Sequence, residues 1–177
     1  MFTGENSILR SSFGDDFAWG VSSSAFQTEG ASLADGKGPS IWDAFGAKGK
    51  IKNREKGDQA TEFYKYYRED LALMRSMGIR NFRFSLSWPR IFPNGTGKVN
   101  SKGVDFYDRL IDQCLELDIA PWVTLYHWDL PLELEKKGGW TNRSIVNWFS
   151  EYAELCAKRY GDRVKKWMVL NEPLLFT

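Results

Sequence analysis

The side chains of this sequence able to move a proton or grip a hydroxyl-rich ligand fall in, or just after, short apolar runs. Glu172 follows Asn171 and precedes Pro173 at the close of KKWMVLNEP, His127 and Trp128 close APWVTLYHW, Arg83 lies inside IRNFRFSLSW, and Gln27 comes shortly after FAWGVS. A carboxyl group at the end of an apolar strand is partly desolvated, which favours its neutral form and suits it to protonate a leaving group. Taken singly, each of these residues also has a bland role: a solvated turn for Asn-Glu-Pro, a hydrogen-bonded core imidazole for His127, a carboxylate partner for Arg83. What separates the two is where the fold puts them.

The elements that must position them alternate between β-rich runs and amphipathic helices, the pattern of parallel α/β architecture. FAWGVS, residues 17–22, is a short strand, followed through Gly57 by a long loop with a turn-prone GKGPS and a basic AKGKIK. From Asp58, the spacing of Phe63, Tyr67, Leu71, Met74 and Met77 predicts a first long helix that Gly78 stops. In IRNFRFSLSW, Phe82, Phe84 and Leu86 alternate with Arg83, Ser85 and Ser87, a strand ended by Pro89. Ser101 is the expected cap of a second helix through Phe106, Leu110, Cys114 and Leu117, after which APWVTLYHW reads as a third strand. Thr141 or Asn142 is the expected cap of a third helix through Ile145, Phe149, Tyr152 and Cys156, and KKWMVLNEP is a fourth strand stopped by Pro173.

Parallel strands with right-handed helical crossovers leave two choices, an open doubly wound sheet or part of a closed barrel. Gln27 and Glu29 follow the first strand, Trp88 closes the second, His127 and Trp128 the third, Asn171 and Glu172 the fourth. Those are carboxyl ends, where barrel enzymes assemble a site from several strands. A nucleotide-binding sheet would need a glycine-rich turn after its first strand, and SSSAFQTEGAS holds neither GxGxxG nor GxxxxGK[ST].

Composition narrows the classes further. Across 177 residues, 24 basic and 23 acidic side chains leave a charge of +1, so no electrostatic footprint for nucleic acid or an anionic membrane is present. An apolar share of 42% supports a core, and no apolar run approaches the roughly 18 residues of a spanning helix. The opening MFTGENSILRSSFG lacks the basic-then-apolar order of a secretion signal, and Cys114 and Cys156 sit at helical spacing among apolar residues, as reduced core thiols do. The expected location is cytoplasmic. One histidine and two separated cysteines make no cluster at zinc spacing. An aromatic share of 15%, with 8 Trp, exceeds what such a core requires and favours a surface that stacks on flat apolar ligand faces, sugars included.

SSSAFQTEGA (residues 22–31), FRFSLSWPRIFPNG (82–95), TLYHWDLP (124–131), GGWTNR (138–143) and LNEP (170–173), in this order, closely resemble the amino-terminal part of glycoside hydrolase family 1, the retaining β-glucosidases and β-galactosidases. The resemblance runs over essentially the whole chain. It implies a (β/α)8 TIM barrel of which residues 1–177 hold the first four strand units, a half barrel, as the amino-terminal part of one domain. It implies hydrolysis of terminal β-linked glucosyl or galactosyl residues with retention, without a cofactor, on β-glycosides or oligosaccharides. By the resemblance Glu172 is the acid/base and the nucleophile is a second glutamate on a later strand. Gln27 and His127 hydrogen-bond hydroxyls of the non-reducing sugar, Trp128 lines that subsite, and Asn171 holds the hydroxyl at carbon 2, an interaction that strengthens as the oxocarbenium ion develops. Arg83 is then the cation that keeps the nucleophile ionised.

Two positions depart from the family's pattern: Glu62-Phe63 stand where Asp-His is common, and Val169 stands where a threonine hydroxyl is common. A barrel of this kind takes about 250 residues, and the nucleophile's Thr-Glu-Asn-Gly strand end does not occur here. Asp129 and Glu133 follow the third strand, but the resemblance gives neither that role. The sequence is thus expected to be an amino-terminal fragment that is inactive alone, with two open sheet edges. The alternatives are a non-catalytic sugar-binding protein and a half barrel that pairs with its own copy or with a separately encoded second half.

Overall fold

A computed structural model describes residues 9–176. The first residues of the opening segment, 1–8, in which no secretion signal is read, lie outside the described residues. Four strands form one parallel sheet in chain order: β1 (Val21–Ser22), β2 (Asn81–Ser85), β3 (Ala120–Tyr126) and β4 (Lys166–Leu170). Consecutive strands are neighbours and every connection is a crossover, so the four-strand half barrel expected from the sequence is what the chain forms. The register pairs Phe82 with Pro121, Phe84 with Val123 and Thr124 with Met168, which brings the carboxyl ends of all four strands to one edge.

The helices are α1 (Ala25–Thr28), α2 (Ile41–Ala47), α3 (Phe63–Ser76), α4 (Trp88–Ile91), α5 (Ser101–Glu116), α6 (Leu132–Glu135) and α7 (Ile145–Tyr160). Helices α3, α5 and α7 are the three long amphipathic elements. Their buried faces, including Phe63, Tyr67 and Leu71, then Phe106, Tyr107, Leu110, Ile111 and Cys114, then Tyr152, Cys156 and Tyr160, form one core with Phe82, Phe84, Val123 and Leu125 of the sheet. Both cysteines are free and buried in it. Among the described residues no helix is long and apolar enough to cross a membrane.

Several boundaries differ from the sequence reading. β1 is confined to Val21–Ser22, because only those residues find ladder partners, Phe82 and Arg83. Just before it Gly20 lies so close to β2 that a Cβ there would meet the Asn81 carbonyl oxygen at 2.5 Å, and the Asn81 amide donates to the Trp19 carbonyl oxygen (2.8 Å). Pro89 ends β2 by opening the helical turn α4, a position where its missing N–H costs nothing. Ser101 is the first helical residue of α5, not its cap; Asn100 holds that place and spends its amide on the Asp35 and Arg90 carbonyl oxygens. Ser144, not Thr141 or Asn142, precedes α7, and the Asn142 carboxamide accepts from the Ser144 N–H to shape the entry. Residues 23–57, expected as loop, contain α1 and α2, and α2 opens on a capping box in which Ser40 and Asp43 satisfy each other's backbone N–H groups.

This long segment is pinned to the barrel by a buried polar cluster. The Arg90 guanidinium pairs with Glu29 (2.9 Å), both essentially inaccessible to solvent, while the Tyr107 hydroxyl donates to Glu29 (2.6 Å) and accepts from the Ser87 N–H (2.7 Å). The Arg90 guanidinium also lies 4.1 Å from the centre of the Tyr64 ring. Each charge is thus paired and hydrogen-bonded, the condition under which burial is tolerated. Glu29 and Trp88, placed by the sequence among the strand-end residues, belong to this packing: Trp88 is wholly buried, stacked on Tyr152 at 4.9 Å.

Removing one partner strands the other charge. Arg90→Met is expected to cost about 3–5 kcal/mol in urea unfolding, and Arg90→Met combined with Glu29→Gln, which keeps an acceptor for Tyr107, to recover most of that loss. Equal midpoints for the single and double variants would show that Glu29 is not held by Arg90.

Candidate active site

The expected site residues sit at one edge of the sheet, and three of them form a single hydrogen-bonded unit with Asn171 at its centre. Asn171 directly follows β4, and its N–H donates to the Tyr126 carbonyl oxygen (3.0 Å), extending the ladder by one residue. Its own carbonyl oxygen accepts from the Trp128 indole (2.9 Å), and its Oδ1 accepts from an Arg83 amino group (2.6 Å). With Oδ1 claimed by a cation, the amide has one orientation, leaving the NH2 group as donor. That NH2 lies 3.3 Å from Oε2 of Glu172.

Arg83 reaches this point from the interior of β2, held partway by its Nε, which donates to the Thr124 hydroxyl (2.8 Å) on β3. Among the described residues it makes no ion pair. Thr124 is wholly buried and is a positioning residue that the sequence reading passed over. Its signal was the strand alternation: paired in register with Ser85 and Met168, it stands between β2 and β4.

His127 and Trp128 follow β3, both half-buried, with ring centres 5.8 Å apart. His127 Nδ1 is buried and meets no protein partner among the described residues. Burial, assisted by the Arg83 cation, holds its pKa below the usual histidine value, so the imidazole is neutral at pH 7 and offers one donor and one acceptor. Trp128 takes φ 74 and Glu172 φ 45, left-handed conformations that cost non-glycine residues about 1–3 kcal/mol. Both flank Asn171 in space, and such strain persists only where surrounding contacts enforce it.

Gln27 stands apart. It lies exposed on α1, its Oε1 accepting from the Ser24 hydroxyl (2.6 Å), and α1 is fixed to β2 by the Ala25 N–H donating to Ser85 Oγ (2.8 Å). No hydrogen bond among the described residues joins it to His127, Trp128 or Asn171. Glu172 departs from expectation in one respect: it is exposed, so the described residues do not provide the desolvation expected at a strand end. The reason is that β4 is an edge strand, with the neighbouring Val169 also largely exposed. Among the described residues no group of His, Cys, Asp and Glu could hold a metal ion. The arrangement can therefore present a carboxyl group, an oriented amide and a neutral imidazole to a polar ligand, next to a cation free to face a second carboxylate.

Comparison with known proteins shows what the chain is similar to. A family model described as glycosyl hydrolase family 1 matches residues 9–177. The chain is 51% identical to β-glucosidase A of Thermotoga maritima over 162 residues, covering 91% of this chain and 36% of that protein. It is 53% identical to β-glucosidase 1 of Oryza sativa over 168 residues, covering 94% of this chain and 33% of that protein. A solved structure of the Thermotoga maritima β-glucosidase in complex with castanospermine superposes with a TM-score of 0.90, covering 91% of this chain and 37% of that one. The chain thus spans about a third of the length of the relatives it matches.

The imidazole can be watched directly because His127 is the only histidine in the sequence. Its NMR titration is expected to fall below the usual histidine range, and to move upward in Arg83→Met as the repelling cation is removed. A midpoint unchanged by that substitution would separate Arg83 from the His127 environment. By the sign of the shift, His127 contributes stability above the unfolded-state value, and this is lost as pH falls through the folded one.

Proposed function

Because the chain belongs to glycosyl hydrolase family 1, we propose that it is the amino-terminal half of a single barrel domain that hydrolyses terminal β-linked glucosyl residues with retention, and that it supplies the acid/base side of that reaction. The observation that carries this reading is the Arg83–Asn171–Glu172 unit. An amide donor with a fixed orientation lies beside a carboxyl group at the end of a barrel strand, next to a guanidinium with no ion-pair partner among the described residues. Relatives bearing the name β-glucosidase, and neighbours solved with castanospermine or deoxynojirimycin, support a sugar as the ligand.

In this reading Glu172 donates its proton to the glycosidic oxygen as the bond to the leaving group breaks, and then takes a proton from the water that resolves the glycosyl-enzyme intermediate. Asn171 directs its NH2 to the hydroxyl at carbon 2, a contact that gains strength as positive charge develops on the sugar ring. His127, neutral and with Nδ1 unclaimed, and Gln27, presented by α1, bind hydroxyls of the glycone, and Trp128 forms a wall of that subsite. The nucleophilic carboxylate comes from a later strand of the domain. Arg83 faces it and keeps it ionised, so that two carboxyl groups roughly 5 Å apart hold opposite protonation states. The two unpaired, buried thiols agree with a reducing, cytoplasmic setting.

The test is a chimera in which this chain replaces the corresponding third of the Thermotoga maritima β-glucosidase A. It is expected to hydrolyse β-glucosides, whereas the 177-residue chain alone is not. In the chimera, Glu172→Gln should slow substrates with poor leaving groups by a factor of about 100 to 10,000, and activated aryl glucosides far less in the glycosylation step. Equal losses on both substrate classes would remove Glu172 from the acid role.

A further inference from the structure

Beneath the strand-end residues lies a buried carboxyl group that the proposed reaction does not use. Asp129, two residues after His127, is 2% exposed, and neither of its oxygens has a hydrogen-bond partner among the described residues. It lines a void of about 10 Å³ together with Ser87, Glu29, Lys37 and Asp43, where the loops following β1, β2 and β3 meet. The Ser87 hydroxyl is likewise buried and without a partner. A space of that size holds at most about one water molecule.

We infer that Asp129 is a positioning residue held as a neutral carboxylic acid, whose proton ties the loop after β3 to the Ser87 hydroxyl, directly or across one enclosed water, and thereby fixes the backbone that presents His127 and Trp128. The charges around it explain why the neutral form is retained. Lys37, the nearby cation on the β1 loop, already donates to Asp43 (2.9 Å) and to the Gly38 carbonyl oxygen. Arg90 of α4 pairs with Glu29 through Nε and Nη2, while its buried Nη1 has no hydrogen-bond partner among the described residues. Glu29 is engaged by both Arg90 and Tyr107, and Asp43 accepts from Ser40 as well as Lys37. Among the described residues the remaining neighbours add the Tyr126 and Tyr152 hydroxyls, and Tyr152 is spent on the Leu125 and Leu86 carbonyl oxygens. An ionised Asp129 would be a third carboxylate in a cluster with two cations already paired. Burial accordingly pushes its pKa up to about 8, with the Ser87 hydroxyl first and Lys37 second pulling the other way.

Its position gives that proton leverage. The residue before it, Trp128, is in the left-handed conformation, and the residues after it are laced to the β1 loop, Leu130 accepting from the Ile41 N–H and Leu132 donating to the Pro39 carbonyl oxygen (2.9 and 2.8 Å). Asp129 is therefore the pivot between a pinned segment and a strained one. That His127 and Trp128 face a sugar rests on the hydrolase reading; the protonation state and the tie to Ser87 do not.

Infrared difference spectra of the 177-residue chain, wild type minus Asp129→Asn, test the inference. At pH 6 the wild type should show the carbonyl stretch of a protonated carboxylic acid that the variant lacks, disappearing with a midpoint near 8 and shifting in frequency in Ser87→Ala. If Asp129→Asn does not fold, the wild-type titration and Ser87→Ala carry the test. In the chimera, KM for a β-glucoside should rise several-fold above pH 8 in the wild type and stay flat in Asp129→Asn. Absence of the acid band at pH 6, a band indifferent to Ser87→Ala, or an alkaline rise in KM that persists in Asp129→Asn would each overturn the inference. A chimera without hydrolysis of any kind, but with the acid band present, would instead count against the hydrolase reading.

Discussion

An arginine side chain laid across three parallel strands holds the candidate site together. Arg83 starts on β2, rests its Nε on Thr124 of β3 and ends on Asn171 after β4. A guanidinium suits this span because its donors are fixed in a planar fork, so contact with one strand sets the direction of contact with the next. An ammonium would carry the same charge with no such geometry. Because the Asn171 oxygen is claimed in this way, its NH2 group is oriented before any ligand arrives. The Trp128 indole, bonded to the Asn171 carbonyl oxygen, ties the end of β3 to the same residue. Orientation fixed in advance spares the binding step the entropy of ordering these groups.

Further out, the loops owe their placement to pairs of charges hidden from solvent. Glu29 and Arg90 anchor the stretch after β1, and Lys37 and Asp43 anchor the start of α2. Surface ion pairs elsewhere, such as Lys158 with Glu154 on α7, are exposed and of the kind that contributes little. The distinction matters for the site, because α1, which carries Gln27, has only one helical turn and could not hold a shape on its own. Its order comes from Ser85, which caps it from β2, and from Glu29 at its end.

Much of this was legible in the sequence, and what was not shares a cause. The long helices and the strands β2, β3 and β4 announce themselves by period, since a buried face repeats every 3.6 or every 2 residues. The strand-end location of Gln27, His127, Trp128, Asn171 and Glu172 follows from the same periods. The caps were misread because Asn100 and Ser144 compete with neighbours of equal capping propensity, and the choice is settled by distant carbonyl groups, those of Asp35 and Arg90 in the case of Asn100. The helices of residues 23–57 were missed because α1 and α2 are short and are held by pairings to residues far along the chain. Thr124 was missed for the same reason: its role is a single hydrogen bond to a residue 41 positions away. Local pattern reports which face is buried, while the partner on the other side is a tertiary fact.

Burial and strain are distributed unevenly along the strand-end edge, and the unevenness follows the sheet. Along β3 and just after it, Thr124 and Asp129 are buried, and Asn171, the first residue after β4, is buried as well with the polar groups around it matched donor to acceptor. At β4, one residue beyond Asn171, Glu172 is exposed in a left-handed turn. At β1 both strand residues are exposed, with Phe13, Phe17 and Trp19 clustered beside them at ring distances of 4.7–5.0 Å. A parallel strand is ordinarily covered on both faces and paired on both edges, so β1 and β4 are the two places where the sheet is unfinished. Arg83, Thr124, Asn171 and Trp128 are fixed by contacts among three of these strands and the residues that directly follow them. The Glu172 carboxyl group, by contrast, is met on its Asn171 side alone among the described residues, because an edge strand has no neighbour to close its other side.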